Sequence, residues 1–270
     1  MYCFSFLFRI FAVNMQILLA SAKIMNDRVS VHHGTNLTVP AFNKEADSFA
    51  RDMAQSTSET IADMLGCSRQ IAAQNKLRFM RFLEDSEKLP AILAYHGQAY
   101  KHLKAETLTA DDLSFAQQRL WITSFLYGLL RPLDGILPYR MEGHVELPSG
   151  EGLNMLGFWK SRLTDILIES VKSDDGILIH LATEEYQHLF DWQRVRREVH
   201  IVQPLFYVSK GDELKMQAVW AKTCRGAMTR YIIENRITIP ERLHAFSYEG
   251  FIYNPSLGEP DYPHFIKRTT

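Results

Sequence analysis

The sequence predicts a mixed α/β fold of the α+β type, formed as one domain over about residues 15–268. Short apolar runs between turn-forming residues, typical of buried strands, alternate with longer segments whose apolar residues recur at helical spacing. Hydrophobic residues make up 46% of the 270 residues and charged residues 23%, which is ordinary for a globular protein and excludes the disordered, collagen-like and coiled-coil classes. No internal repeat or Pro/Gly-rich linker divides the sequence, so one core is expected.

The start of the chain allows three interpretations. Residues 2–13 are its most apolar stretch, and residues 20–22 are similar to a signal-peptidase site, but no positive charge precedes the run and an arginine lies inside it. The run is also too short to span a membrane. The favoured interpretation takes Met15 as the start of the domain. Residues 1–14 are then an upstream extension or disordered, and residues 16–22 form a first buried β-strand.

Three helices and one strand are predicted between residues 46 and 130. The helices span residues 46–66, 68–87 and 110–130, because apolar residues recur there near the 3.6 period, and residues 109–112 form a capping box. Residues 91–95 are too few for a helix and predict a buried strand. The predicted apolar faces are Phe49, Met53, Ile61 and Leu65 in the first helix, Ile71, Leu77, Met80 and Leu83 in the second, and Leu113, Ala116, Leu120, Phe125 and Leu129 in the third.

Two helices and three strands are predicted in the second half. The strongest strand signal is the β-branched run at residues 177–182, which is typical of a strand buried on both faces. The other predicted elements are a helix at 153–172, strands at 199–208 and 214–220 around a hairpin turn at 209–212, and a helix at 225–236.

Composition and motifs exclude several classes of protein. The formal charge is −1, so any affinity for polyanions must come from a local patch. Cys3, Cys67 and Cys224 are too few and too widely spaced for a disulfide framework or a zinc knuckle, and they suit a reducing cytoplasm. The sequence has no GxxxxGK[ST], GxGxxG, GxSxG or HExxH motif. Neither a cofactor nor a metal site is predicted, and no other apolar run suggests a membrane span.

The first candidate functional segment runs from Leu126 to Arg140. A glycine after a helix, followed by a basic residue such as Arg131, can place backbone amides and a cation against a phosphate, as hairpins between two helices do in nucleic-acid binding. The structural alternative is a helix C-terminus in which Arg131 contacts the last carbonyl groups. Sequence alone favours the structural alternative.

The second candidate segment runs from Lys222 to Arg236. Between Lys215 and Arg242 the sequence has six basic residues and two acidic ones, a local surplus of four positive charges. With Arg225 near a helix start, the positive end of the helix would add to the attraction for a phosphate, and the next residue, a glycine, would permit close approach. A solvated basic helix face is the alternative interpretation.

Glu184 and Glu185 are the candidate catalytic residues. They directly follow the predicted strand at 177–182, and loops after buried strands often hold reactive side chains, so the two glutamates could form an acid/base or metal-binding pair. Adjacent residues diverge, and only one of the two is expected to face a cleft. A surface turn is the alternative.

Together these segments resemble the YaaA family of bacterial peroxide-stress proteins. Residues 126–134 with 138–140 are similar to the most characteristic block of that family, and residues 225–236 to its second block. The similarity extends over residues 15–268. Weaker matches are Gly97 with Tyr100, Phe158-Trp159, Leu181 to Tyr186, Glu249-Gly250-Phe251 and Phe265 to Arg268.

The resemblance implies one compact domain with a central mixed sheet, flanking helices, a positively charged cleft and a helix-hairpin-helix element. It also implies DNA binding and a role in limiting damage by peroxide and free iron, with no firmly assigned reaction. The sequence departs from the family pattern at polar positions that would be close to a ligand. These positions are Ala20-Ser21, His96, Gln98, His180 and Glu184.

Two hypotheses for the function follow, and a third ranks below them. The first is a cytoplasmic peroxide-stress protein, favoured as a monomer, that binds the phosphates of double-stranded or distorted DNA. Its predicted contacts are Lys23, Arg131, Arg140, Lys222, Arg225, Arg230 and Arg236. The second is an enzyme for a small phosphorylated or nucleotide-like substrate in the same cleft, with Glu184 or Glu185 as acid/base. Iron sequestration ranks lowest, because no ligand spacing supports it.

Overall fold

The computed structural model describes residues 14–29, 36–84, 86–211 and 213–269, so the predicted upstream extension lies almost entirely outside them. The strands are β1 (Gln16–Ala20), β2 (Leu89–Pro90), β3 (Leu120–Ser124), β4 (Gly128–Leu130), β5 (Gly135–Ile136), β6 (Ile177–Leu181), β7 (His200–Val202), β8 (Leu205–Lys210), β9 (Glu213–Lys215), β10 (Ser247–Tyr248), β11 (Phe251–Glu259) and β12 (Tyr262–Thr269). The helices are α1 (Asn43–Gln55), α2 (Ser58–Leu65), α3 (Arg69–Met80), α4 (Ala91–Ala94), α5 (Gln98–Leu103), α6 (Ala110–Arg119), α7 (Met155–Ser173), α8 (Glu184–Gln187), α9 (Trp192–Glu198) and α10 (Ala218–Glu234).

The first sheet has the order β4-β3-β1-β6-β7. Strands β3, β1, β6 and β7 are parallel, and β4 pairs antiparallel with β3, so the sheet is mixed. In the middle strand Ile17, Leu18 and Leu19 are all buried, as expected of an uninterrupted apolar run covered on both faces. The predictions of mixed α/β content and of strands at 16–22 and 177–182 are confirmed.

The chain order creates a topological switch at the middle of this sheet. From β1 the chain goes first to β3 on one side and later to β6 on the other. The connections therefore leave the carboxyl ends of β1 and β6 in opposite directions, and a crevice opens between them. In open α/β sheets ligands bind at such points.

The second sheet has the order β10-β11-β12-β8-β9 and is built mainly from the C-terminal strands. Its core contains the edge-to-face and stacked rings of Phe206, Phe246, Phe251 and Phe265. One cluster of buried apolar side chains extends from Met15 to Phe265, so both sheets share a single core. Strands β2 and β5 form a small antiparallel pair.

The predicted helices at 46–66 and 68–87 differ from α1, α2 and α3. The first is broken at Ser56-Thr57, because the hydroxyl of Thr57 accepts a hydrogen bond from the amide of Thr60 and begins a new helix. Its four predicted apolar residues are buried as expected. The predicted face of the second was wrong, since Leu77 is 66% exposed and α3 buries Phe79 and Arg78 instead.

Two other element predictions were wrong in the first half. Residues 91–95 contain the short helix α4 in place of a strand. The helix predicted at 110–130 has the expected capping box but ends at Arg119, because Trp121, Ile122 and Thr123 favour a strand and continue as β3.

The second half follows the prediction more closely. Helix α7 matches the segment 153–172, and β8 pairs antiparallel with β9 as expected of a hairpin. The strand predicted at 214–220 ends at Lys215, since α10 begins seven residues before Arg225. Within the described ranges, none of the helices is sufficiently long and apolar to cross a membrane.

Candidate functional site

The segment from Leu126 to Arg140 forms a β-hairpin and the loop that follows it. Residues 125–127 turn between β3 and β4, and the hydroxyl of Ser124 accepts hydrogen bonds from the amides of Leu126 and Tyr127. Gly128 has a φ of +71°, and a Cβ there would lie 2.9 Å from the Trp159 ring. Both interpretations of this segment were therefore wrong, because it is neither a hairpin between two helices nor the C-terminus of a helix.

Arg131 has a structural position at the amino ends of the strands. Its guanidinium lies 3.3 Å from the centre of the Trp121 ring and donates to Gln16 Oε1 at 3.3 Å and to the Leu120 carbonyl at 3.4 Å. Burial lowers the pKa of Arg131 to about 10, which still leaves it charged near neutral pH. Gln16 begins β1 and Leu120 begins β3, so Arg131 is at the edge of the sheet opposite the switch point.

Arg230 and Arg236 are also bound within the fold. Arg230 donates to the carbonyls of Leu103 and Lys104, where α5 ends, and pairs with Glu234 at 2.7 Å. Arg236 pairs with Asp112 at 2.6 Å. These arginines hold α5 and α6 against α10, and neither lines the cleft described below.

Lys23 and Arg140 share one buried carboxylate. Glu142 is 4% exposed; its Oε2 accepts from Lys23 Nζ at 2.7 Å, and its Oε1 accepts from Arg140 at 3.0 Å. Lys23 nevertheless lines the cleft, and both cations line a small recess beside it. The two cations and Glu142 together carry one net positive charge.

Lys222 and Arg225 differ from the other five predicted cations. Within the described part of the chain, neither side chain has an ion pair or hydrogen bond with another residue. Lys222 is exposed, whereas the Nε of Arg225 is buried and has no partner. Burial lowers the pKa of Arg225, and no carboxylate opposes that effect. The prediction that Arg225 lies near a helix start was wrong, because it sits in the third turn of α10.

A cleft opens at the topological switch point and brings the remaining candidates together. It encloses about 500 Å³ between the segments that follow β1 and β6, the start of α5 and one face of α10. Apolar side chains form most of its wall. Its lining includes Leu19, Ala22, Ile24, Gly97, Tyr100, Leu181 and Tyr186, together with Lys23, Glu184, Glu185, Lys222 and Arg225.

Glu184 and Glu185 both line this cleft and are both exposed. The expectation that only one would face it was wrong, because the chain turns into the short helix α8 directly at Glu184. Their carboxylates are the acid/base candidates of the site. Burial raises the pKa values of Tyr100 and Tyr186 well above the ordinary value, so both phenols stay protonated.

Several cleft residues were not among the predicted site residues. The hydroxyls of Ser21 and Tyr186 are 3.0 Å apart, and Tyr100 donates to the Ala20 carbonyl at 3.1 Å. Gln98 lies 2.8 Å from the Thr223 hydroxyl. The sequence signals for them were the departures from the family pattern at Ser21 and Gln98 and the weak family matches at Tyr100 and Tyr186.

Glycines bring the walls of the cleft close together. A Cβ on Gly226 would lie 1.8 Å from the Ala99 carbonyl oxygen, so α10 packs directly on the backbone of α5. A Cβ on Gly97 would lie 2.6 Å from the Cβ of Ala22. The expected close approach at Gly226 therefore exists, but its partner is another helix.

His180 lies in β6 beside the cleft and is buried without hydrogen bonds to either ring nitrogen. Burial lowers its pKa to about 3, and the positive charges of Arg225 and Arg196 contribute. Its ring is neutral near pH 7. Across the described ranges, no three His, Cys, Asp or Glu side chains group closely enough to hold a metal ion.

The fold and the cleft define a mixed α/β protein with a cleft at the switch point of its first sheet. Residues 15–257 match the family described as peroxide stress protein YaaA, and the chain belongs to this family. It is 44% identical to a UPF0246 protein of Phocaeicola vulgatus over 241 residues, which cover 89% of this chain and 94% of the relative. A UPF0246 protein of Bacteroides thetaiotaomicron is 43% identical over 91% of this chain and 95% of its own. One from Legionella pneumophila strain Lens is 34% identical over 94% and 99%. The family resemblance is thus confirmed.

Proposed function

We propose that this peroxide-stress protein acts by binding a phosphate-bearing, nucleotide-like ligand in the switch-point cleft. The observation that carries the proposal is the unpaired guanidinium of Arg225 in the wall of that cleft. We further propose that it acts as a monomer in the cytoplasm, which the free thiols of Cys67 and Cys224 suit.

Arg225 is a partly buried cation whose enclosed Nε has no partner, which is unfavourable for the protein alone. Removing a charge from water costs several kcal/mol after relaxation, unless an opposite charge compensates. Arg225 has no such partner among the described residues, so a bound anion would supply it. Lys222 lies three residues earlier on α10, on the same helix face, and would add a second cation to the same anion.

The rest of the cleft suits the organic part of such a ligand. The accessible surface of the cleft is mostly apolar, which is typical of small-molecule sites, and the volume of about 500 Å³ is within their usual range. Glu184 and Glu185 border the same space, and we propose one of them as the acid/base if the ligand is a substrate.

Binding of thymidine 5′-monophosphate, measured by calorimetry, tests the proposal. Arg225→Ala is expected to weaken binding by about 10–100-fold, because it removes the charge that meets the phosphate. Arg197→Ala is the matched control, since Arg197 is exposed on α9 and outside the cleft. Equal affinities for wild type and Arg225→Ala would refute the proposal.

Loss of turnover with retained binding in Glu184→Gln or Glu185→Gln would identify the acid/base.

Double-stranded or distorted DNA is the second candidate ligand, and the exposed Lys222 at the cleft favours it. Five of the seven predicted contacts are bound within the protein, so few phosphates would be neutralised. With Lys222 and Arg225 alone, the log–log salt dependence of binding has a slope of about −1.8, against about −6 for all seven. Gel-shift titrations at several ionic strengths measure this slope. Affinity that does not change with salt would exclude backbone binding.

The link to free iron remains a proposal that rests on the family resemblance alone. The described residues contain no cluster that would hold iron, so we propose that any protection is indirect. Anaerobic loading with ferrous iron followed by desalting tests this. Retained stoichiometric iron would contradict an indirect role.

A further inference from the structure

A second chamber adjoins the cleft on the side of α10. It encloses about 340 Å³ and is lined by Gln203, Met216, Ala218 and Ala221, together with four residues that it shares with the cleft. These four form a common wall between the two spaces: Thr183, Glu184, Lys222 and Arg225. We call this second space the α10 chamber.

The common wall contains both unpaired cations of the site. A ligand anion that meets Lys222 and Arg225 therefore has open space on two sides. A terminal phosphate would use one side only. A phosphate with an organic group on each side would use both.

The net charge of the common wall also favours a phosphate with an organic group on each side. Two cations and the carboxylate of Glu184 leave one net positive charge. A phosphodiester carries one negative charge, whereas a phosphate monoester carries about −1.5 to −2 near neutral pH. The diester therefore matches the wall with less repulsion from Glu184.

Both spaces also offer apolar surface to an organic group. The cleft presents Leu19, Ile24 and Leu181, and the α10 chamber presents Met216 and Ala221. Ile24 and Met216 are 63% and 44% exposed, so a ligand would cover surface that water now contacts.

We propose that the ligand is a small phosphodiester, with its phosphate at the common wall and one organic group in each space. A linear dinucleotide belongs to this class. The inference rests on the proposed function, because it places the same anion on the same arginine. It adds the requirement for a second organic group.

Calorimetry with two probes tests the inference on the wild-type protein. Thymidylyl-thymidine is the diester probe, and thymidine 5′-monophosphate is the monoester probe. The diester is expected to bind at least about tenfold more tightly, because it fills the second space as well. Equal affinities, or tighter binding of the monoester, would overturn the inference and leave the proposed function in place.

A variant that fills the α10 chamber makes the test specific. Ala218 is exposed at the first position of α10 and lines the chamber, so Ala218→Phe should occupy it without changing the core. The variant is expected to abolish the advantage of the diester and to leave monoester affinity unchanged. Val219→Phe is the matched control, since Val219 is the next residue, is 62% exposed and lines neither space.

The remaining outcomes are equally decisive. If Ala218→Phe weakens both probes alike, or neither, the two-space arrangement is wrong. If neither probe binds the wild type, the proposed function fails, and the inference fails with it.

A duplex and a single-stranded oligonucleotide serve as further probes. A duplex that binds as tightly as the diester and resists Ala218→Phe would show that the backbone is bound outside the α10 chamber.

Discussion

At the scale of single residues, two partly buried arginines differ in their partners. Arg131 is held by Gln16 and Trp121, whereas Arg225 has no partner among the described residues. We expect Arg225→Met to raise the free energy of unfolding by about 1 kcal/mol, because a partly buried charge without a partner is replaced by an apolar group. Arg131→Met should lower it by about 2–4 kcal/mol, because it removes a desolvated cation–π contact and hydrogen bonds. Urea denaturation measures both, and a destabilised Arg225→Met protein would contradict the assignment.

His180 makes stability depend on pH. Its pKa falls from the usual 6.5 to about 3 in the folded protein, so between these values the unfolded state binds more protons. Stability should therefore decrease as the pH is lowered from about 6.5 toward 3, by at most about 1.4 kcal/mol per pH unit from this residue. His180→Asn removes the titrating group and should flatten the curve over that range. An unchanged slope of unfolding free energy against pH would show that His180 is not the cause.

Glu142 controls how many cations the cleft presents. Its carboxylate pairs with Lys23 and Arg140, so Glu142→Gln should free both for an external polyanion. The slope of log affinity for DNA against log salt should then steepen by up to about 1.8. Glu241→Gln is the control, because Glu241 is exposed and lies outside the cleft. Salt slopes that are the same in Glu142→Gln and wild type would contradict this role.

The sequence indicated which residues lie at the cleft better than it indicated which residues each side chain contacts. Lys23, Lys222, Arg225 and one of the two glutamates were expected at a cleft, and the three cations and both glutamates line it. The pairing of Arg236 with Asp112 joins residues 124 positions apart, and spacing in the sequence carries no signal for such a contact. A basic residue therefore looks the same in a sequence whether it faces a ligand or an internal carboxylate.

At the scale of elements, the packing of α10 on α5 positions the cleft. Gly226→Ala would place a methyl group 1.8 Å from the Ala99 carbonyl oxygen, so the helices must separate. We expect a loss of about 1–3 kcal/mol or more of stability and weaker ligand binding, because overpacking shifts the backbone that leads to Gln98. Gly157→Ala in α7 is the matched control. Its Cβ would make ordinary contacts at 3.4 Å or more, and alanine favours helix. A Gly226→Ala melting temperature equal to that of wild type would contradict the close contact.

Helices were predictable where their apolar residues kept one spacing throughout and where a capping box marked the start. The capping box at Thr109 and the amphipathic α7 illustrate both cases. The prediction failed at residues 120–130, where apolar residues satisfy helical and strand patterns together and the neighbouring β1 decides. It also failed for the face of α3, where tertiary contacts bury Arg78 and leave Leu77 exposed.

At the scale of the whole molecule, Arg131 of the first candidate segment does not share a groove with Lys222 and Arg225 of the second. Arg131 is at the amino ends of the parallel strands, and the cleft is at their carboxyl ends, separated by the length of β1, about 15 Å. The seven predicted DNA contacts thus divide into residues that are bound within the fold away from the cleft and residues that lie at or beside the cleft. Fold class and family could be predicted from sequence, but this division depends on strand direction, which short-range patterns do not specify.

The location of a bound phosphate tests the central claim most directly. Crystals soaked with 5-iodouridine 5′-monophosphate would give an anomalous iodine signal and place the attached phosphate without ambiguity. We predict iodine in the switch-point cleft and the phosphate within hydrogen-bonding distance of Arg225 and Lys222. A nucleotide at the opposite edge of the sheet, near Arg131, or the absence of a signal at full saturation of the soak, would contradict the account.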